Sequence, residues 1–187
     1  MKINDLKCDK CCGCKACAYA CPKDAITFVK DEFGFEYPTI DEEKCIDCHK
    51  CEKSCPIHIE QKQNNVAVYA AINQNEKLLG TSASGGVFSA LAVSILNRGG
   101  VVYGAAMSKD DNTILKVSHI RVDNLEQLSY LQGSKYVQSD MGDIYSDLKN
   151  DLKLNKEKIL CVYTLSTRTS NLWQKVLPTH YGCNIGT

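Results

Sequence analysis

Cysteines at 11, 14, 17 and 21, the last followed by Pro22, constrain this 187-residue chain more than anything else in it. The spacing C-x2-C-x2-C-x3-C-P returns at Cys45, Cys48, Cys51 and Cys55, followed by Pro56. This is the bacterial iron–sulfur signature, in which the fourth cysteine of each run ligates the cluster of the other run. Three closely spaced cysteines wrap one corner of a cube. A helix then carries the fourth away, and the proline keeps the backbone beyond it extended. The expected ligand sets are Cys11, Cys14 and Cys17 with Cys55, and Cys45, Cys48 and Cys51 with Cys21, for two [4Fe-4S] clusters. One such run is compatible with coincidence or a zinc knuckle; the identical repeat carries the assignment.

Two other uses of cysteine compete with it. A disulfide framework needs an oxidising compartment, and Met1 to Cys8 lacks the apolar core of a signal peptide. Structural zinc usually takes two C-x2-4-C pairs across a longer spacer, not four cysteines in eleven residues. Eight of the twelve cysteines fall in the two runs, which points to a reducing cytoplasm. Of the other four (Cys8, Cys12, Cys161 and Cys183), Cys12 lies between two ligands and is expected to point away from the cluster as a small buried hydrophobe. Gly13 and Ala16 are small, which lets backbone N–H groups approach the sulfurs. Lys+Arg and Asp+Glu are both 22, so charge gives no sign of nucleic-acid binding. No apolar run approaches the ~18 residues of a membrane span.

The chain divides by composition. Lys23 to Val29 predicts a turn and a strand, Lys30 to Phe35 a hairpin turn, and Glu36 to Ile40 the return strand. The two cysteine runs form an internal repeat of about 34 residues, each a cluster loop followed by a short helix. A module this small has little apolar core, so it is expected not to fold without its clusters. Ile57 to Asn65 is polar and reads as a linker. Val66 to Ile72 predicts a buried strand, and Gly80 to Gly86 a loop of small residues. A helix follows from about Val87 to Asn97, with Phe88, Leu91, Ala92, Ile95 and Leu96 on one face, and Gly99-Gly100 stops it. Strands are expected at Val101 to Met107, Ile114 to Val122 and Lys158 to Tyr163, with helices at Leu125 to Leu131 and Asp143 to Leu154. Strands alternating with helices argue a layered α/β arrangement with a largely parallel sheet. The fold class expected is therefore α+β: a two-cluster ferredoxin-like module over 1–64, an incomplete α/β domain over 65–163, and an irregular tail over 164–187.

Ser82-Ala83-Ser84-Gly85-Gly86 sits where a loop meets a helix N-terminus, a natural anion site. The plainer alternative is a serine N-cap with glycines serving the turn. This loop, followed by Val87-Phe88-Ser89-Ala90-Leu91 and placed after two cluster motifs, resembles the beta-subunit family of coenzyme F420-reducing hydrogenases and dehydrogenases. The resemblance continues through Gly99 to Ala105, His119-Ile120-Arg121, and Leu131-Gln132-Gly133-Ser134-Lys135-Tyr136-Val137-Gln138-Ser139. It implies that the α/β part binds a flavin (FAD or FMN) and that electrons pass between the clusters and a deazaflavin or related acceptor. On that resemblance Ser84, Gly85 and Gly86 cradle phosphates, Gly133, Ser134 and Lys135 line the same site, and a redox partner protein or subunit is expected. The alternative for Lys135 is a solvated surface lysine; for His119 and Arg121 a structural ion pair is preferred to ligand binding. The substrate does not carry over.

Past Val162 the resemblance stops. The family usually continues with Gly-Thr-Pro-Cys-Gln, whereas this chain reads Tyr163-Thr164-Leu165-Ser166. Loss of GG from GTA GGT ACA CCC TGT CAA gives GTA TAC ACC CTG TCA A, which encodes Val162 to Ser166. The expectation is a frameshifted, truncated member whose tail, Trp173 included, was never selected to pack. Two functions stand: an iron–sulfur flavoprotein oxidoreductase, or a two-cluster electron carrier with no catalysis of its own.

Overall fold

The computed structural model describes residue 3, residues 11–58, 69–109 and 115–154, and the backbone of strand residues 159–161. Cys8, most of the polar linker, Val66 to Val68 and the tail from Val162 onward lie outside the described residues. The chain divides into two compact units, with the boundary between Asn65 and Val66.

In the first unit the two cysteine runs fold alike. Helix α1 (Ala16–Ala20) and helix α2 (Lys50–Ser54) each hold five residues. Between them, β1 (Ile26–Lys30) and β2 (Glu36–Ile40) pair antiparallel, Ile26 opposite Ile40 and Lys30 opposite Glu36. The hairpin turn is closed by Asp31, whose carboxylate accepts from the N–H groups of Phe33 and Phe35 at 2.9 Å each. Gly34, at φ 85°, supplies the left-handed residue the turn requires. Helices of five residues do not persist on propensity, so something else must hold them. Their inner sides meet in a small core in which Cys17 and Cys55 are buried beside Ile3 and Ile26, with Phe28, Ile40 and Ile57 packed around. Cysteines of the two runs thus occupy the place where a larger domain would put leucines.

The second unit is a sheet covered on both faces. Strand β3 (Val101–Lys109) pairs antiparallel with β4 (Leu115–Val122) and parallel with β5 (Ile159–Cys161), giving the order β4-β3-β5. Helix α3 (Glu76–Gly80) leads through a loop to α4 (Val87–Asn97); α5 (Leu128–Leu131) and α6 (Ile144–Leu154) follow β4. Val102 and Ala106 of β3 join Ala92 and Leu96 of α4, Leu128 and Leu131 of α5 and Val122 in one buried cluster. A Cβ on Gly104 would touch Leu131, which places α5 over the same face. Tyr103 points the other way, to Asp151 of α6. Val101 to Ala106 are all buried, which is why this strand reads as a continuous apolar run rather than an alternating one.

The mixed α+β class, the hairpin, α4, α6 and the central strand agree with the sequence. Three details differ. The sheet is mixed rather than largely parallel, because β3 and β4 are neighbours in sequence and pair directly, without a crossover helix. Residues 69–72, expected within a buried strand, form none, and Tyr69 and Ile72 are exposed. Helix α3 was not anticipated; Asn75 caps it, its side chain accepting from the N–H groups of Lys77 and Leu78.

Candidate cluster and cofactor sites

Equivalent positions of the two cysteine runs share a backbone conformation. Lys15 and His49, each following the second cysteine of its run, lie in the left-handed region at φ 57° and 55°. Gly13 and Asp47, two residues earlier, do the same at φ 64° and 55°. Cys21 and Cys55 are both extended, with ψ 117° and 121°. Left-handed backbone costs a residue other than glycine roughly 1 kcal/mol, so its recurrence at Lys15, Asp47 and His49 marks one strained loop shape used twice. Lys15 is further pinned by Glu36 at 2.8 Å and lies 5.7 Å over the Phe28 ring.

This shape brings the fourth cysteine of one run to the other. A cavity of about 240 Å³ is lined by Cys45, Cys48 and Cys51 together with Cys21, against Ala25, Ile26 and Ile40. Cys51 lies near enough to Cys21 for the two to act on each other electrostatically. On the other side Cys17 is likewise within electrostatic reach of Cys11 and Cys55. Backbone N–H groups already point at sulfur: Gly13 donates to Cys11 Sγ at 3.5 Å and Ala25 to Cys21 Sγ at 3.3 Å. Burial pushes the Cys17 thiol up to about 12; a backbone hydrogen bond from Ala18 opposes that rise, and the neighbouring cysteines add to it. Burial also raises Cys51 and Cys55. A thiolate in such surroundings needs a cationic partner, and ferric and ferrous iron supply one. The donor set, its spacing and its N–H···S bonds fit a [4Fe-4S] cluster.

Cys12 departs from expectation. It is half-buried, and its thiol engages that of Cys14, raising the latter well above the ordinary range, with burial adding to the shift. It also lies within electrostatic reach of Cys55. Cys12 therefore sits beside the first ligand set instead of turning away from it.

In the second unit the small-residue loop and the Leu131 to Lys135 segment, about fifty residues apart in sequence, meet. Gln132 Nε2 donates to Thr81 Oγ1 and to Ser89 Oγ, both at 3.1 Å. Ser89, only 1% exposed, also bonds Ser82 Oγ at 3.0 Å, and Ser82 Oγ donates to the Leu78 carbonyl at 2.6 Å. Lys135, expected either at a ligand or on the surface, is 5% exposed, so the surface alternative fails. Its ammonium donates to the carbonyls of Gln132 at 2.7 Å and Tyr130 at 3.1 Å, and burial lowers its pKa. Gly133 lies at φ 79°, while Ser84 and Ser134 are exposed.

Helix α4 has no serine cap: its N-cap is Gly86, at φ 74°, which carries no side chain to bond the first N–H groups. Gly85 is required by the chain itself. A Cβ there would run into the Ala71 carbonyl oxygen, and Asn73 N–H donates to the Gly85 carbonyl at 2.7 Å. The ion pair preferred for Arg121 is present: its Nε lies 2.6 Å from Asp151 Oδ2 and its Nη1 2.8 Å from Asp123. His119 instead meets Ser139 Oγ at 2.9 Å. Sequence reasoning gave no individual role to Thr81, Ser89, Gln132 or Asp151, and it read Ser82 as a donor to a ligand, whereas its hydroxyl is engaged with Leu78 and Ser89. The available signal was a polar residue on an apolar helix face: Ser89 beside Phe88 and Ala92, and Asp151 beside Leu148.

Residues 10–59 match the family model of the 4Fe-4S dicluster domain. Residues 68–145 match that of the coenzyme F420 hydrogenase/dehydrogenase beta subunit N-terminus. An uncharacterized ferredoxin of Methanocaldococcus jannaschii is 42% identical over 48 residues, which are 26% of this chain and 61% of that protein. Among the described residues, no helix is long and apolar enough to cross a membrane.

Proposed function

We propose that this chain passes electrons between two [4Fe-4S] clusters and a flavin nucleotide that exchanges hydride with a 5-deazaflavin or related acceptor. The two matched domains, in that order, mean iron–sulfur electron transfer in an oxidoreductase setting. The first cluster takes Cys11, Cys14, Cys17 and Cys55; the second takes Cys45, Cys48, Cys51 and Cys21. The observation that carries the reading is the cavity in which Cys21 joins the three cysteines of the other run. A cube moves one electron and a hydride acceptor takes two, so a bound flavin, which exchanges electrons singly or in pairs, would supply the conversion, and a 5-deazaflavin would serve as the hydride acceptor.

The protein's own part is binding, orientation and charge. Cys17 and Cys55 hold their cluster in an apolar core, and the Gly13 and Ala25 N–H groups temper the charge on sulfur. In the second unit the α4 N-terminus and the Lys135 ammonium offer positive charge to a phosphate, with Ser84, Gly85, Gly86, Gly133 and Ser134 beside them. A buried ammonium that donates to neutral carbonyls is favoured by an added anion. The chain works with a partner subunit in a reducing compartment.

A second reading, a two-cluster carrier without catalysis, is favoured by the likeness of the first unit alone to a ferredoxin. Anaerobic purification followed by iron, acid-labile sulfide and flavin analysis decides between them. Two clusters give ~8 iron and ~8 sulfide per chain. Uptake of FAD, FMN or a 5-deazaflavin supports the enzyme, and clusters without any such uptake support the carrier. Zinc without sulfide would overturn both.

A further inference from the structure

We infer that Gln132 is a positioning residue that sets the small-residue loop and the Lys135 ammonium in fixed relation, making them one receptor for a phosphorylated cofactor. The inference rests on the cofactor reading of this unit and names the residue that assembles the site. Gln132 touches three elements at once. Its side-chain amide donates to Thr81, which opens the loop, and to Ser89 in the first turn of α4. Its main-chain carbonyl accepts from Lys135 Nζ at 2.7 Å. Ser89 passes the restraint on through Ser82 to the end of α3.

The chemistry of the arrangement is specific. Ser89 is buried, so its hydroxyl must find partners within the protein, and Ser82 and Gln132 provide them. The two sources of positive charge, the N-terminal end of α4 and the Lys135 ammonium, come from segments distant in sequence. Their separation is set by Gln132, whose side chain bonds to the first and whose main-chain carbonyl accepts from the second. From behind, the Asn73 contacts to the Gly85 and Gly86 carbonyls brace the loop. A phosphate-bearing ligand reading both charges therefore depends on Gln132 without needing to touch it.

The test uses the full, cluster-loaded chain with FAD and a 5-deazaflavin as probes, followed by fluorescence. Gln132→Met keeps the volume and removes both donors. It should weaken binding roughly tenfold, the equivalent of about 1.4 kcal/mol and the size of one lost buried hydrogen bond. Ser89→Ala should lose a similar factor, and the double variant should be no worse than the weaker single, because the two act as one unit. Multiplying losses, or wild-type affinity in Gln132→Met, overturn the inference. Amide exchange provides a readout independent of any ligand. Residues 82–86 should exchange at least about tenfold faster in Gln132→Met while β3 does not change; unchanged exchange in the loop overturns the lock. If wild type binds neither probe yet the loop loosens as expected, the cofactor reading fails and the lock stands.

Discussion

Two cysteines in equivalent backbone conformations, Cys21 and Cys55, make the sharpest residue-scale prediction. Each is carried by its helix toward the cysteines of the other run. Cys21→Ser is expected to cost the cluster bound by Cys45, Cys48 and Cys51, and Cys55→Ser the one bound by Cys11, Cys14 and Cys17. Iron should fall from ~8 to ~4 per chain in either variant. Cys12→Ser should leave iron unchanged despite its contact with Cys14, because the spacing gives that place to Cys11; iron falling as far as in Cys14→Ser would refute the ligand set. Lys135 makes a second prediction, about pH. Its folded-state pKa lies below that of a free lysine because burial disfavours the charge. The unfolded chain therefore binds the proton more tightly, and stability should rise with pH through the alkaline range below about 10.4. A Lys135→Met variant should lack that rise in thermal midpoint. Neither the direction of Cys12 nor the burial of Lys135 was legible in the sequence, since both depend on which chain segments crowd around them.

Among the elements, α6 is tied to the sheet by one carboxylate. Asp151 accepts from Tyr103 on β3 at 2.5 Å and from Arg121 on β4 at 2.6 Å, so a single helical residue fixes the helix against two strands. Burial alone would raise its pKa; Arg121 and Tyr103 overcome that and hold it low. The folded pKa is depressed, so the stabilisation is present above the unfolded value near 3.9 and fades as pH falls through the folded one. Asp151→Ala should cost about 2 kcal/mol. That is less than the 3–5 of a fully buried pair, because the Arg121 side chain is 34% exposed. Denaturant unfolding near neutral pH measures it, and a loss under ~0.5 kcal/mol would mean the network contributes nothing. The apolar stripe of α6 was readable from Ile144, Leu148 and Leu152; the carboxylate riding on it was not recognised as a tether, because its partners come from strands read separately.

For the whole molecule, the contrast lies in what each unit is built on. Among the described residues, two of the four buried members of the first unit's core cluster are cysteines of the two runs, whereas the second unit has a conventional apolar layer between helices and sheet. Anaerobic removal of iron by a chelator should therefore unfold residues 11–58 and leave the second unit folded. Limited proteolysis would then cut the first unit and spare a fragment bearing β3 and β4. Simultaneous loss of both, or an iron-free first unit that resists protease, would contradict this division.

The sequence alone determined the chemistry of the first unit, because cluster ligation depends on residue type and spacing within a few residues, and those are local quantities. It also determined the approximate extents of β1, β2, α4 and α6, whose apolar periodicity is local as well. Tertiary structure alone decided that Cys12 lies beside Cys14 and Cys55, that β3 and β4 pair antiparallel, and that Gly85 faces Ala71. It likewise decided that Gln132 meets Ser89. Most of these are contacts between segments far apart in sequence, and no local preference records which distant backbone will arrive beside a residue once the core has closed.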